Sequence, residues 1–292
     1  MTYFIELAIN GALTGLMYSL AALGFVLIYK SAGVPNLAQG AVVMTAGYVV
    51  WLGVAAGLPI LLAIPIGAAA MFGFGLLVER LLLRRMVGQP IIMVVTLTLG
   101  LDILLRGLVP GILGATPKSL DLGIDLAPII LGDVFINRTY LIGGIVALLM
   151  IGGALLFFRT PLGTKLRAVS DDHVSSWAVG ISVERAIGIS WGLAGIAAVA
   201  AATLWGSVQG VDWTLSTLLF PAIAVTILGG LDSIAGVLVG SLLVGILGSV
   251  IPGYLDSIVG GGTRDVVTSL IILLTIMLRP FGIFGREDIE RI

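Results

Sequence analysis

The chain has 292 residues, of which 59% are hydrophobic and 11% are charged, whereas a soluble domain carries roughly 25% charged residues. This composition excludes a water-soluble fold and predicts an all-α, polytopic membrane helix bundle embedded in a lipid bilayer. The net charge of −1 gives no footprint for nucleic acid, and the absence of cysteine with a single histidine excludes disulfides and thiolate or histidine-rich metal sites.

Apolar windows long enough to cross a bilayer recur along the chain, each of about 20 residues. The N-terminal window lacks a preceding basic region, so we interpret it as the first helix and not as a signal peptide. Windows in the C-terminal third are shorter or contain glycine, which favours Gly-broken or re-entrant helices there. We expect about eight or nine membrane segments among the windows 5–29, 37–58, 59–78, 91–113, 140–158, 187–206, 218–228, 234–251 and 266–278.

Glycine is about twice as frequent as usual, with 41 residues. The runs 11–15, 67–75 and 236–248 place small residues at helix-face spacing. Small residues allow membrane helices to approach closely, so tight packing is the main interpretation of each run, and a moving interface is the alternative.

Orientation follows from the lysines and arginines, since cytoplasmic loops carry an excess of them. Only Lys118, Arg138 and Arg264 are then left on the outer side. This arrangement predicts an outer N-terminus, an outer loop at about 114–138 that can hold a short strand, a cytoplasmic segment at about 159–186 and a cytoplasmic C-terminal tail. The basic residues placed in the cytoplasm are Lys30, Arg80, Arg84, Arg85, Arg159, Lys165, Arg167, Arg185, Arg279, Arg286 and Arg291.

The segment 159–186 is the one long polar stretch of the chain. A Thr-Pro-Leu-Gly turn at 160–163 precedes apolar residues that recur in an amphipathic helical pattern up to Ile181. A cytosolic helix with an apolar face needs a partner. The bilayer surface is one candidate partner, but Asp171 and Asp172 lie at the centre of the pattern, and we therefore expect a protein.

The same segment has the arrangement G-x-x-x-R-A-x-x-x-D followed by Gly-Ile, formed by Gly163, Arg167, Ala168, Asp172 and Gly180-Ile181. It resembles the cytoplasmic coupling loop of bacterial ABC-importer permeases, and more narrowly the branched-chain amino-acid permease family, whose relatives also serve urea, amides and other small solutes. The resemblance extends over nearly the whole chain through Asn10-Gly11, 18–24, 36–40, 44–48, Glu79-Arg80, 228–236 and 279–285.

Two departures from the family pattern concern possible pathway segments. Leu37 and Gln39 stand where the family usually has Phe and His, and Pro221 stands where a lysine often precedes the Leu-Gly-Gly motif.

The resemblance implies a single permease domain, 1–292, that forms half of a translocation pathway for branched-chain or related small amino acids. It implies a bacterial cytoplasmic (inner) membrane location and a heterodimer with a second related permease. Two cytoplasmic ATPases and an extracytoplasmic solute-binding protein would complete the importer. Alternatives are a permease for urea, amides or small carboxylates, or a self-sufficient secondary transporter, for which Asp102 is the clearest intramembrane carboxylate.

The chain contains no G-x-x-x-x-G-K-[ST] phosphate loop. We therefore expect a non-catalytic subunit without cofactor or metal, with ATP and Mg²⁺ used by the partner ATPases. In the coupling loop, Arg167 and Asp172 would make polar contacts with the ATPase, and Val174, Trp177 and Val179 would be apolar anchors. Gly163, Ala168, Asp171 and Gly180 complete the predicted coupling set.

Polar residues at membrane depth are the candidates for the solute pathway, because such groups are expensive to bury unpaired. Asp102 and Arg106 lie four residues apart on one helical face and can pair, either to hold the bundle together or beside the solute path. The uncharged candidates are Asn10, Tyr18, Asn36, Gln39, Thr96 and Thr98.

Overall fold

The computed structural model describes residues 2–86, 88–125 and 127–285. Within these ranges the chain forms eleven α-helices and one two-stranded antiparallel hairpin. Short 3₁₀ turns at Leu83–Met86 and Trp213–Leu218 precede α4 and α9. The elements are α1 (Thr2–Ala32), α2 (Gln39–Ala55), α3 (Ile60–Leu81), α4 (Ile91–Leu113), β1 (Ile129–Leu131), β2 (Val134–Ile136), α5 (Arg138–Phe157), α6 (Pro161–Asp171), α7 (His173–Ala178), α8 (Val183–Gln209), α9 (Leu219–Gly229), α10 (Ile234–Val259) and α11 (Thr263–Leu278).

Six of the described helices have the length and apolar composition to cross a membrane: α1, α3, α4, α5, α8 and α10. Two shorter apolar segments, Gln39–Ala55 and Trp213–Gly229, correspond to α2 and to α9 with its preceding turn. The all-α membrane bundle is therefore confirmed, while the number of eight or nine membrane segments stays a prediction.

Helix α1 lies at the centre of the bundle and packs against α10, α8, α5 and α9. Its middle residues, from Thr14 to Ile28, are all buried. Because α1 is surrounded by protein and not by lipid, a polar group on it is placed inside the molecule.

Glycines make the contact between α1 and α10 possible. A Cβ atom at Gly15 would lie 2.0 Å from the Ser241 carbonyl oxygen, and one at Gly245 would lie 2.2 Å from that of Gly11. Neither contact can be relieved by rotating a side chain, since the opposing atom belongs to the backbone. The runs 11–15 and 236–248 thus form a tight interface.

The expectation of Gly-broken helices in the C-terminal third is wrong for α10. This helix continues from Ile234 to Val259 as 26 residues despite its glycines. In an apolar environment the helix is the cheapest way to satisfy the backbone N–H and C=O groups, so packed glycines do not interrupt it. Helix α9, with 11 residues, is short as expected.

The predicted outer loop holds a β-hairpin, in which β1 and β2 pair with Ile129 opposite Ile136. The hairpin contacts the first turns of α1. We call this end of the bundle the hairpin end, and the opposite end, which carries α6 and α7, the coupling end. The tail residues Arg286 and Arg291 lie outside the described residues.

Candidate functional site

Helix α6 is fixed to the bundle at the coupling end. The Thr160 hydroxyl oxygen accepts a hydrogen bond from the Gly163 N–H at 3.3 Å and caps the helix, with Pro161 in the first turn. Leu166 and Val169 are fully buried, and α6 packs against α1. A Cβ atom at Gly163 would lie 2.4 Å from the Phe157 carbonyl oxygen, so this glycine is required for the close approach of α6 to the end of α5.

The predicted single amphipathic helix is in fact two helices. Asp172 has an extended backbone (φ −160°, ψ 114°) between α6 and α7. Its carboxylate accepts hydrogen bonds from the N–H groups of Val174 and Ser175, at 2.8 and 3.1 Å, and from the Ser175 hydroxyl at 2.6 Å. Aspartate is a preferred N-cap residue, so Asp172 is itself the sequence signal for this new helix start. The apolar periodicity alone does not show this second helix start, because it continues across both helices.

Helix α7 presents apolar side chains to its surroundings. Val174 is 73% exposed, Trp177 50% and Val179 74%. Gly180 has φ +80° and ends this segment, after which Ser182 caps α8 through the Arg185 N–H at 3.3 Å. We call Val174, Trp177 and Val179 the α7 apolar patch. The predicted anchors therefore lie within six residues of one another and are left exposed by the described part of the chain.

A polar cavity of about 300 Å³ lies beside α6. The predicted residues Arg167, Ala168 and Asp171 line it, together with Lys30 from α1 and Asp232 from the loop before α10. Lys30 Nζ donates a hydrogen bond to the Asp232 carbonyl oxygen at 2.6 Å. The loop after α9 thus joins the coupling end, which the sequence analysis did not anticipate.

A second cavity of about 390 Å³ separates the end of α1 from α7. Asn36 and Thr98 line it on the bundle side, and Asp171 and Val174 on the other. Thr98 also accepts a hydrogen bond from the Leu37 N–H at 3.2 Å, which ties α4 to the segment before α2.

Asn10 connects α1 to the hairpin. Its Nδ2 donates to the Phe135 carbonyl oxygen at 2.7 Å, and its Oδ1 accepts from the Asn137 N–H at 3.1 Å. The amide nitrogen and the amide oxygen of Asn10 thus both have hydrogen-bond partners at the hairpin end.

Tyr18 lies deeper in the bundle and stacks on Trp205 of α8, with ring centroids 4.9 Å apart and planes at 15°. Both side chains are at least nine-tenths buried. The Tyr18 hydroxyl lies near Arg264 at the start of α11.

Asn36 and Gln39 pair with each other, through a 3.3 Å hydrogen bond from Asn36 Nδ2 to Gln39 Oε1. Gln39 is fully buried, and its side chain occupies the space that a Cβ atom at Gly24 would need. Among the described residues, Gln39 Nε2 has no hydrogen-bond partner. Two of these pathway candidates, Asn10 and Tyr18, lie on α1, and Gln39 lies beside it. The three side chains therefore do not converge on one point.

Asp102 and Arg106 form the predicted ion pair on α4, with Arg106 Nε 2.9 Å from Asp102 Oδ2. The aspartate side chain is 11% exposed and that of the arginine 32%. The helical spacing alone sufficed to predict this contact.

An ion pair between a buried glutamate and a half-exposed arginine at the coupling end escaped the sequence analysis. Glu79, 4% exposed, accepts two hydrogen bonds from Arg84, at 3.1 and 3.2 Å. The five-residue separation does not match a helical face, and it is the 3₁₀ turn Leu83–Met86 that brings the arginine back.

Comparison with known proteins gives a consistent result. The family model described as the permease component of the branched-chain amino acid transport system matches residues 7–278. The high-affinity branched-chain amino acid transport system permease protein BraD of Pseudomonas aeruginosa is 26% identical, over 99% of this chain and 98% of that protein.

Two further relatives are also named as permease proteins of branched-chain amino acid transport. The probable branched-chain amino acid transport permease protein LivH of Methanocaldococcus jannaschii is 30% identical, over 91% of this chain and 88% of its own length. LivH of Escherichia coli is 25% identical over 99% and 98%. Among solved structures, a chain of PsaBC from Streptococcus pneumoniae in complex with Fab superposes with a TM-score of 0.46 at 18% identity, covering 93% of this chain and 91% of that chain.

Proposed function

This chain belongs to the family of permease components of branched-chain amino acid transport systems, and on that premise we propose that it is the membrane subunit of an ATP-driven importer for branched-chain or related small amino acids. It would act with a second permease, two cytoplasmic ATPases and an extracytoplasmic binding protein. The coupling end would face the cytoplasm and the hairpin end the outside of the cytoplasmic membrane.

The α7 apolar patch is the observation that carries this proposal. Three large apolar side chains, two on a short helix outside the membrane-spanning helices and one directly after it, are costly to leave in water, so they favour a groove on another protein. Aromatic and aliphatic anchors at the centre of an interface supply most of its binding energy.

The mechanical connection from this patch to the membrane helices supports coupling. Helix α7 follows α6 after a single residue, Asp172, and α6 is held against α1 by Leu166 and Val169. Displacement of α7 by ATPase closure would therefore move α6 as a rigid body against the central helix. Arg167, at the rim of the polar cavity, would add a polar contact with the ATPase.

The test is co-purification of the ATPases with this chain carrying Trp177→Ala, alone and combined with Val179→Ala. We expect ATPase recovery to fall at least tenfold, because an interface anchor contributes roughly 2 kcal/mol or more, and ATP-driven uptake to fall with it. The thermal stability of the permease should be unchanged, since both side chains are exposed.

Trp213→Ala is the matched control. Trp213 is 54% exposed, comparable to Trp177, but it precedes α9 near the hairpin end. Normal ATPase recovery with Trp177→Ala and Val179→Ala together would refute the coupling role of α7. Solute uptake by the purified chain without any ATPase would instead favour a self-sufficient transporter.

A further inference from the structure

Helix α10 contains a proline at position 252. Proline has no backbone N–H, so the carbonyl four residues earlier, that of Gly248, loses its helical donor. Arg264 Nε donates a hydrogen bond to this carbonyl oxygen at 3.1 Å. The proline thus creates the acceptor that holds the side chain of Arg264, an exposed residue, against α10.

This acceptor is deep for a charged group. Gly248 lies three turns before the end of α10 at Val259, roughly 16 Å along the axis at about 1.5 Å per residue. Arg264 is the second residue of α11, and its side chain extends from the hairpin end toward the middle of the bundle.

No ion pair of the described residues neutralises the charge of Arg264. The ion pairs of the described residues join Arg84 to Glu79, Arg106 to Asp102 and Arg138 to Asp125, and none involves Arg264. Its Nε donates to the Gly248 carbonyl oxygen, and the Tyr18 hydroxyl lies near its side chain. A guanidinium has five N–H donors in a planar fork that matches a carboxylate, so Arg264 keeps donors for an anion.

The surroundings of this cation offer apolar contact and space. Tyr18 stacks on Trp205, and the buried Trp205 Nε1 has no partner among the described residues. A side chain built at Gly248 would meet no atom within 4 Å, although this glycine is buried. An aromatic stack and open space beside Gly248 therefore lie close to the same arginine.

We propose that Arg264 binds the carboxylate of the transported solute, with the Tyr18–Trp205 stack beside the apolar part of that solute. The inference rests on the proposed function and adds to it a site and the solute group that is recognised. The alternative source of a carboxylate, an acidic side chain of the binding protein, would have to reach roughly three turns below the end of α10, which favours a small free solute.

The test measures direct binding to the solubilised permease complex without the binding protein, by saturation-transfer NMR with millimolar L-leucine. L-leucinamide, which has the same side chain but no carboxylate, is the probe for the recognised group. The wild-type complex should bind leucine and discriminate against leucinamide. We expect Arg264→Gln to weaken leucine binding at least tenfold and to abolish the discrimination, because a charge-assisted pair is lost, and Arg264→Lys to restore part of it.

A second variant separates recognition from a structural role. Pro252→Ala returns an N–H donor to the Gly248 carbonyl, so Pro252→Ala with Arg264→Gln leaves no orphaned acceptor. This double variant should recover the thermal stability of the wild type and still fail to bind leucine. Recovery of leucine binding in the double variant would overturn the inference, because only the carbonyl contact would then matter.

The failure of the inference is distinguishable from that of the proposed function. A wild-type complex that takes up leucine with ATP and binding protein, yet binds leucine and leucinamide equally, would overturn the role of Arg264 alone. If Arg264→Gln impaired docking of the binding protein and left leucine binding unchanged, the carboxylate partner of Arg264 would belong to the binding protein. That result would equally overturn the inference. Absence of ATP-driven uptake from the complete wild-type assembly counts against the importer itself.

Discussion

Helices α1 and α4 have almost the same apolar character and opposite positions in the molecule. Their mean hydropathies are 1.9 and 2.0, but 89% of the apolar window of α1 is buried within the protein against 22% for α4. Hydrophobicity therefore places both helices in the membrane and does not decide which one is central.

Small residues and their opposing surfaces explain the difference. Gly11 and Gly15 of α1 meet the backbone of α10, whereas a Cβ atom added at Gly100, Gly107 or Gly111 of α4 would meet no described atom within 4 Å. In a bilayer, close backbone approach supplies the packing that distinguishes one apolar helix from another.

The largest expected effect comes from filling the α1–α10 contact. Gly15→Leu would place its Cβ atom 2.0 Å from the Ser241 carbonyl oxygen. Because this oxygen belongs to the backbone and cannot rotate away, we expect the cost to exceed the value of about 1–3 kcal/mol that is typical of overpacking. We expect loss of the monodisperse protein in size-exclusion chromatography. Gly107→Leu is the matched control, since it adds the same side chain to open space on α4.

Equal behaviour of the two glycine variants would show that the α1–α10 contact does not determine the fold. A Gly107→Leu variant that is folded but no longer co-purifies with the second permease would sharpen the comparison. It would show that the partner binds the exposed face of α4.

A smaller effect is expected from the ion pair of α4. Asp102→Leu leaves the Arg106 charge without its partner, which costs about 3–5 kcal/mol for a fully buried pair; the 32% exposure of the arginine side chain reduces this to roughly 1–3 kcal/mol. Thermal unfolding in detergent measures the loss.

The double variant Asp102→Leu with Arg106→Leu separates the two interpretations of this pair. A structural pair predicts near wild-type stability and transport, since paired apolar substitutions of a buried ion pair are often neutral. Normal stability with abolished uptake would instead place the pair beside the solute path.

The smallest effect is expected at Gln39, next to α1. Gln39→Met keeps the side-chain size and removes the buried, unpartnered Nε2 donor, but it also removes the Oε1 acceptor of Asn36 Nδ2. The two effects oppose each other, so the free energy of unfolding should change by no more than about 1 kcal/mol. Uptake should persist if Gln39 only fills the space above Gly24. A clear decrease in stability would mean that the hydrogen bond with Asn36 outweighs the cost of the unpartnered donor.

The polar segment 159–186 shows how much of a structure can be predicted from patterns among neighbouring residues. Its turn at 160–163, its apolar residues and its coupling motif were readable from the sequence, because each depends on neighbouring residues. The same periodicity, however, covered two helices. Leu166 and Val169 are buried, whereas the α7 apolar patch is exposed. The sequence pattern does not distinguish the two groups, because only the packed bundle determines which apolar residues find a surface within the chain.

The sequence by itself determined the helical membrane class, the family, most helix positions and the Asp102–Arg106 pair, because these follow from composition, apolar windows and spacing within a few turns. The tertiary structure decided that α1 is central, that α10 is continuous, that Glu79 meets Arg84 and that Arg264 reaches the carbonyl left free by Pro252. Each of these depends on contacts between helices, and bilayer hydrophobicity, which is nearly uniform along such a chain, does not encode them.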